Sequence, residues 1–313
     1  MTAPQPLHSQ PPWLKRAIEA GRDLHYARTP RLWHNALNSS LLLALVGGAI
    51  ALCWLGGRVA TIAFIPSGAL GFGLIYFSLF ILVVHEASHN MFLNLGTPGR
   101  SRLWNRRLGW LACIPFGVEY VKHWELGHRI HHRAPTEPDD PQNCKETLYT
   151  HTALLSRLAK VLLIPGYAIL RLGASCPAER YGRNWPLTLT SVLVWSVALA
   201  IEAVFFHWTV AVAALLGLHV LVALNTVKIA MEHGGAVSRR EQRWMRSCSS
   251  FFPLRRVLMP FNISLHFEHH LNAAVPWYNL MTYHQAIEAI VPADICSELF
   301  KSDREVWQQM ASH

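Results

Sequence analysis

His85-Glu86-Ala87-Ser88-His89, His128-Arg129-Ile130-His131-His132 and His266-Phe267-Glu268-His269-His270 decide how this 313-residue chain is read. Residues three and four apart share a face of a helix, so each stretch presents its imidazoles as a row. Together they take eight of the eighteen histidines. A solvated surface helix could account for one H-x-x-H-H stretch, but not for two of them plus an H-x-x-x-H. Many neutral nitrogen donors without thiolates suit a transition metal such as iron or zinc, and eight exceed the shell of one ion. Two ions are expected.

Working outward from the first stretch, Ala60 to Val84 carries no charge, and neither does Leu37 to Leu55 before it, with Arg58 between. Leu187–Phe206 is apolar apart from Glu202, and Thr209–Val227 is uncharged apart from the ambiguous His219. Each run has about the 20 residues a helix needs to cross hydrocarbon. Transmembrane helices are therefore expected at about 37–55, 60–84, 187–206 and 209–231, as two hairpins with tiny turns. Every Lys and Arg except Arg58 then falls on one side, which the positive-inside rule makes cytoplasmic. All three histidine stretches and His233 share that side. The expected fold is an all-α integral membrane protein, with four transmembrane helices in two hairpins and a cytoplasmic helical cap holding the metal.

Composition points the same way. Half of the residues are hydrophobic (51%), 15% are charged, and twelve are tryptophan. A net charge of +9 would suit nucleic acid, but the basic residues crowd the ends of apolar runs, the pattern of membrane orientation. Nucleic acid is not an expected partner. Cys53, Cys113, Cys144, Cys176, Cys248 and Cys296 show no ligand spacing, which suggests packing or a reducing compartment.

Residues 1–36 are expected to form a basic cytoplasmic segment, with no cleavable leader and with a floppy start. Part of it, near Trp13 and Trp33, is expected to lie as an amphipathic helix at the headgroups. Leu108–Val118 is too short to span, and Leu154–Leu172, broken by Pro165-Gly166, reads as interfacial. Residues 286–313 are expected to be a cytoplasmic C-terminal helix. Arg239, Arg240, Arg243, Arg246, Arg255 and Arg256 read either as a solvated face touching anionic lipid or as a docking patch for an acidic electron carrier.

Several residues need separate weighing. His85-Glu86-x-x-His89 is formally the H-E-x-x-H of zinc proteases, in which glutamate is the general base. That reading leaves both H-x-x-H-H stretches unexplained. Glu125, Asp139 and Asp140 could orient imidazoles by accepting their second N–H, with Asp140 favoured. His123 fits no ligand row, and His219 reads as a packing histidine. Trp104, Trp110, Tyr120 and Trp124 could line a substrate path or simply pack.

The order H-x-x-x-H, H-x-x-H-H, H-x-x-H-H with two hairpins resembles the membrane fatty acid desaturases and their hydroxylase relatives, over roughly residues 37–285. Asn90 extends the first box. Thr136 and Asp140-Pro141 follow the second, and Val275-Pro276-Trp277-Tyr278 and His284 follow the third. Family members take a further histidine from the end of the last membrane helix, where Glu232-His233-Gly234 stands. The resemblance thus implies nine iron ligands: His85, His89, His128, His131, His132, His233, His266, His269 and His270. In one branch an asparagine four residues before that last-helix histidine holds a water on iron. Here Ile229 stands there, and Asn262, four residues before His266, is the substitute candidate.

The resemblance also implies two iron ions, O2 as co-substrate and an acyl-chain lipid as substrate. A separate ferredoxin- or haem-type donor with its reductase is implied too, since no fused carrier is visible. Desaturation is the expected outcome. A di-iron acyl hydroxylase, acetylenase or alkene-forming decarboxylase is the near alternative, and a membrane zinc metalloprotease the distant one.

Overall fold

A computed structural model describes residues 11–142, 150–168 and 184–311. Cys144, Cys176, the first ten residues and the end of the Leu154–Leu172 run lie outside the described residues. The chain is mostly helical, and four helices are long and apolar enough to cross a membrane: Arg31–Val59 (α2), Phe64–Ser88 (α3), Trp185–Phe205 (α7) and Trp208–His233 (α8).

These helices run past the uncharged stretches that announce them. α2 starts directly after Pro30, whose fixed φ suits the residue ahead of a first turn, and takes in His34 and Asn38. Both are fully buried, with His34 Nε2 donating to the Met91 carbonyl at 2.6 Å and Asn38 to that of Phe92 at 2.9 Å. The helix therefore extends because its polar first turns have partners inside the protein. It ends where Ala60 turns left-handed at φ 46°. α7 is capped by Asn184, whose side chain accepts from the Leu187 N–H, and α8 by His207.

Half of the apolar window is buried in α3 and in α8 (50% each), against 11% in α2 and 6% in α7. α3 and α8 are thus the inner pair, while α2 and α7 turn Leu43, Ile50, Leu189, Leu193 and Phe205 outward. Such apolar faces suit lipid and would be a liability in water. The inner pair approaches closely through glycine. A Cβ on Gly73 would lie 2.4 Å from that of Val220, and one on Gly217 would lie 2.7 Å from that of Phe72.

The remaining helices are shorter. These are α1 (Pro12–Ala20), α4 (Pro98–Cys113), α5 (Gly127–Arg133), α6 (His151–Leu163), α9 (Arg255–Leu258), α10 (His266–Leu271), α11 (Leu280–Glu288), α12 (Ala293–Leu299) and α13 (Asp303–Ala311). α6, capped by Thr150, stops at Ile164 before Pro165 and Gly166. It is too short to span and packs on α8, where His219 Nδ1 donates to the Val161 carbonyl at 2.5 Å.

Two expectations are corrected here. Trp13 does not present its ring at the surface: with Leu14 and Ala17 it is buried against Leu280, Tyr283 and Ile287, and its ring meets that of Trp244 edge-on. The C-terminal segment is not one helix. Between α12 and α13, Phe300–Ser302 (β2) pairs in parallel with Ser249–Phe251 (β1). Three-residue strands carry too little alternation to be seen in a sequence.

Candidate metal centre

Each box is delivered by a distinct local device. α3 passes through a π-turn over Phe80–His85, and another π-turn, Tyr120–Leu126, leads into α5. A π-turn inserts an extra residue and rotates the helix beyond it, and such turns occur often at functional sites. α8 ends on His233, and α10 is a six-residue helix that carries the whole third box.

The imidazoles converge in two groups. Nitrogens of His85, His89, His128 and His269 lie within 4.8 Å of one another, and so do those of His131, His233, His266 and His270. The H-x-x-H-H spacing now has a physical reading, because each of these helices serves both groups. α5 sends His128 to the first and His131 to the second. α10 sends His269 to the first and His266 and His270 to the second. His132 belongs to neither group and stands between them. Its ring is 4.6 Å from that of His269 and 4.2 Å from that of His270, with Nε2 3.2 Å from His128 Nε2.

The arrangement fits cations. The Nε2 atoms of His85, His89, His269 and His270 are buried without a hydrogen-bond partner among the described residues. Buried polar atoms left so are costly in a folded protein. His233 and His266 bring their Nε2 atoms to 2.9 Å. Two nitrogens at right angles on a metal about 2.1 Å away would stand about 3 Å apart.

Electrostatics favour the neutral form of His89, His128, His132, His266, His269 and His270, the form in which an imidazole binds metal. Burial holds His89 down at about 3, with the charges of Arg129 and His131 adding to it. Burial, and then neighbouring imidazoles, hold His128, His132, His266, His269 and His270 well below the ordinary histidine range.

The far nitrogens of His128, His131 and His233 are held by acceptors, which sets the tautomer and aims Nε2 inward. His131 Nδ1 donates to Asp140 Oδ2 at 2.8 Å, His128 Nδ1 to Gln142 Oε1 at 2.9 Å, and His233 Nδ1 to the Arg246 carbonyl at 2.6 Å. Asp140 in turn accepts the backbone N–H groups of Thr136 and Gln142, both at 2.8 Å. Burial pushes this carboxyl up, but the His131 charge and these hydrogen bonds outweigh it and hold it below the usual range.

His266 Nδ1 lies 3.2 Å from Glu232 Oε1, off hydrogen-bond alignment, while Lys228 Nζ donates to Glu232 Oε2 at 2.7 Å. The third box is anchored from below, where Glu268 accepts His284 Nδ1 at 2.5 Å and the Ser249 hydroxyl.

Other candidates are placed elsewhere. Asn262 sits at φ 54°, donates to the Trp277 carbonyl at 3.1 Å and enters neither group. Glu125 orients no imidazole, since Arg102 and Arg106 take its oxygens at 2.6–3.0 Å. Trp104 and Trp110 are exposed, whereas Tyr120 and Trp124 are buried. Trp124 stacks edge-on with Phe80, which meets Phe116 in the same way. Arg240 and Arg246 turn inward, Arg240 to the carbonyls of Met245 and Glu298 and Arg246 to Glu137, which leaves Arg239 and Arg256 as the exposed part of the basic stretch.

Gln142, Lys228 and Glu268 are not singled out by the sequence. Only Lys228-x-x-x-Glu232, an i,i+4 pair of opposite charges, leaves a visible signal there.

Among curated proteins, none matches the chain. The family model for fatty acid desaturases matches residues 60–297, from the start of the second span to α12 and across all three boxes. Members of that family are generally oxidoreductases with a di-iron site. The chain belongs to the fatty acid desaturase family.

Proposed function

We propose that the chain is an O2-dependent, di-iron acyl-chain desaturase of the membrane. His85, His89, His128 and His269 would hold one iron, and His131, His233, His266 and His270 the other, with His132 between them. The observation that carries this reading is the pair of four-nitrogen groups, with the Nε2 atoms of His85, His89, His269 and His270 buried without a hydrogen-bond partner among the described residues. Two reduced irons with O2 would supply the oxidising power to remove hydrogen from an unactivated methylene, which no side chain can supply.

The chain's own residues do the positioning. Asp140, Gln142 and the Arg246 carbonyl fix ring orientation. Phe116 and Trp124, buried, and Phe80, partly buried, give an aromatic wall beside His85 and His128, with Trp124 5.1 Å from His128 ring to ring. A wall of this kind can hold an acyl chain against the site and keep water out. The zinc-protease reading has little support in this geometry. His85 and His89 join two further histidines, and Glu86 is buried against His85 at 3.3 Å.

The charge pattern supports a site on the cytoplasmic side, where a separate ferredoxin- or haem-type donor with its reductase would reach it. Arg239 and Arg256 offer that donor a basic surface.

The test is mass spectrometry of total acyl chains from a host expressing the wild type with a matched donor, beside His269→Ala. Loss of two hydrogens from a chain, absent in the variant, is the expected result. Gain of one oxygen would replace desaturase by hydroxylase, and no change in any acyl chain would overturn the acyl reading.

A further inference from the structure

The two histidine groups are supported by different chemistry on their outer side. In the second group, His131 donates to Asp140, a carboxylate pinned by two backbone N–H groups. Another carboxylate, Glu232, lies 3.2 Å from His266 Nδ1 without hydrogen-bonding it and is paired with Lys228. His233 adds a backbone carbonyl at 2.6 Å. In the first group, His128 has only the neutral amide of Gln142, at 2.9 Å. His85 has Glu86 at 3.3 Å, a long contact to a side chain whose other oxygen has no partner. Among the described residues none gives His89 or His269 such an acceptor, nor, in the second group, His270.

A carboxylate on the far N–H of an imidazole makes the ligating nitrogen a stronger donor, whereas an amide does so far less. We propose that the two positions are unequal. The group His131, His233, His266 and His270 holds its ion more tightly than His85, His89, His128 and His269, and Asp140 is the positioning residue that makes the difference. The inference rests on reading both groups as metal sites. Its consequence is a division of labour, with one ion firmly seated and the other, beside the Phe80–Trp124 wall, more easily changed in its surroundings.

The experiment is equilibrium competition between the full-length, iron-loaded protein in lipid discs and a chelator of known affinity, reading iron retained per chain. Two steps of one ion each are expected, with His89→Ala removing the weaker and His270→Ala the tighter. Asp140→Asn should weaken the tighter step by about 10–100-fold, and Asp140→Glu should restore it. Gln142→Glu, which places a carboxylate on His128, should tighten the weaker step. This variant keeps the proposal testable if Asp140→Asn fails to fold.

One step releasing both ions together, or Asp140→Asn acting on the weaker step, would overturn the inequality while leaving two metal sites. Fewer than two ions in the wild type would overturn the metal-site reading beneath it as well.

Discussion

Glu125 is buried at the end of the π-turn that delivers His128, and both of its oxygens are taken by arginines from α4. Burial alone would raise its pKa, but hydrogen bonds from Arg106 and Arg102 outweigh that and hold it below the usual carboxylate range. A carboxylate lowered in the folded state stabilises the fold above its unfolded pKa, and that stability is lost as pH falls through the folded value. Glu125→Gln should therefore cost about 1.5–3 kcal/mol at neutral pH, the range for hydrogen bonds to a charged group. It should also flatten the acid limb of a thermal-midpoint-against-pH curve; an unchanged acid limb would contradict the role. The sequence offered Glu125 as an imidazole holder because only its spacing was visible. Its partners lie on another helix, and spacing is silent on that. Asn262 failed for a related reason: its left-handed backbone, at φ 54°, takes the side chain off the face it would share with His266 in a helix.

At the scale of elements, the α3–α8 contact places His85 and His233 at the same end of the molecule. That contact depends on side chains that are absent. Gly73→Leu should overpack the interface by about 1–3 kcal/mol and lower the thermal midpoint in detergent. Gly47→Leu, on α2 with nothing within 4 Å of its added Cβ, should leave it unchanged. Equal effects from both would count against close packing of the inner pair. The four apolar helices were legible because uncharged runs of that length have few other uses. Their ends were not, since α2 continues through His34 and Asn38 on partners contributed by the segment after His89. The π-turns, and the pairing of β1 with β2, were equally invisible. A π-turn leaves no periodic mark, and three-residue strands leave almost none.

For the whole molecule, the boxes were readable from residue type and spacing alone as a set that could hold metal, whereas their sorting into two groups was not. Which histidine of an H-x-x-H-H row serves which group depends on how α5 and α10 sit against α3 and α8. The proposed four crossings, with the site on the basic side, put both termini in one compartment. Reporter fusions at either terminus should both register the cytoplasm, and opposite locations would contradict the proposed topology. The most direct measurement is the metal content of the purified full-length protein by elemental analysis, wild type beside His131→Ala and His269→Ala. Two iron ions per wild-type chain are expected, with metal lost in each variant. One zinc per chain, untouched by either substitution, would contradict the two-group iron centre.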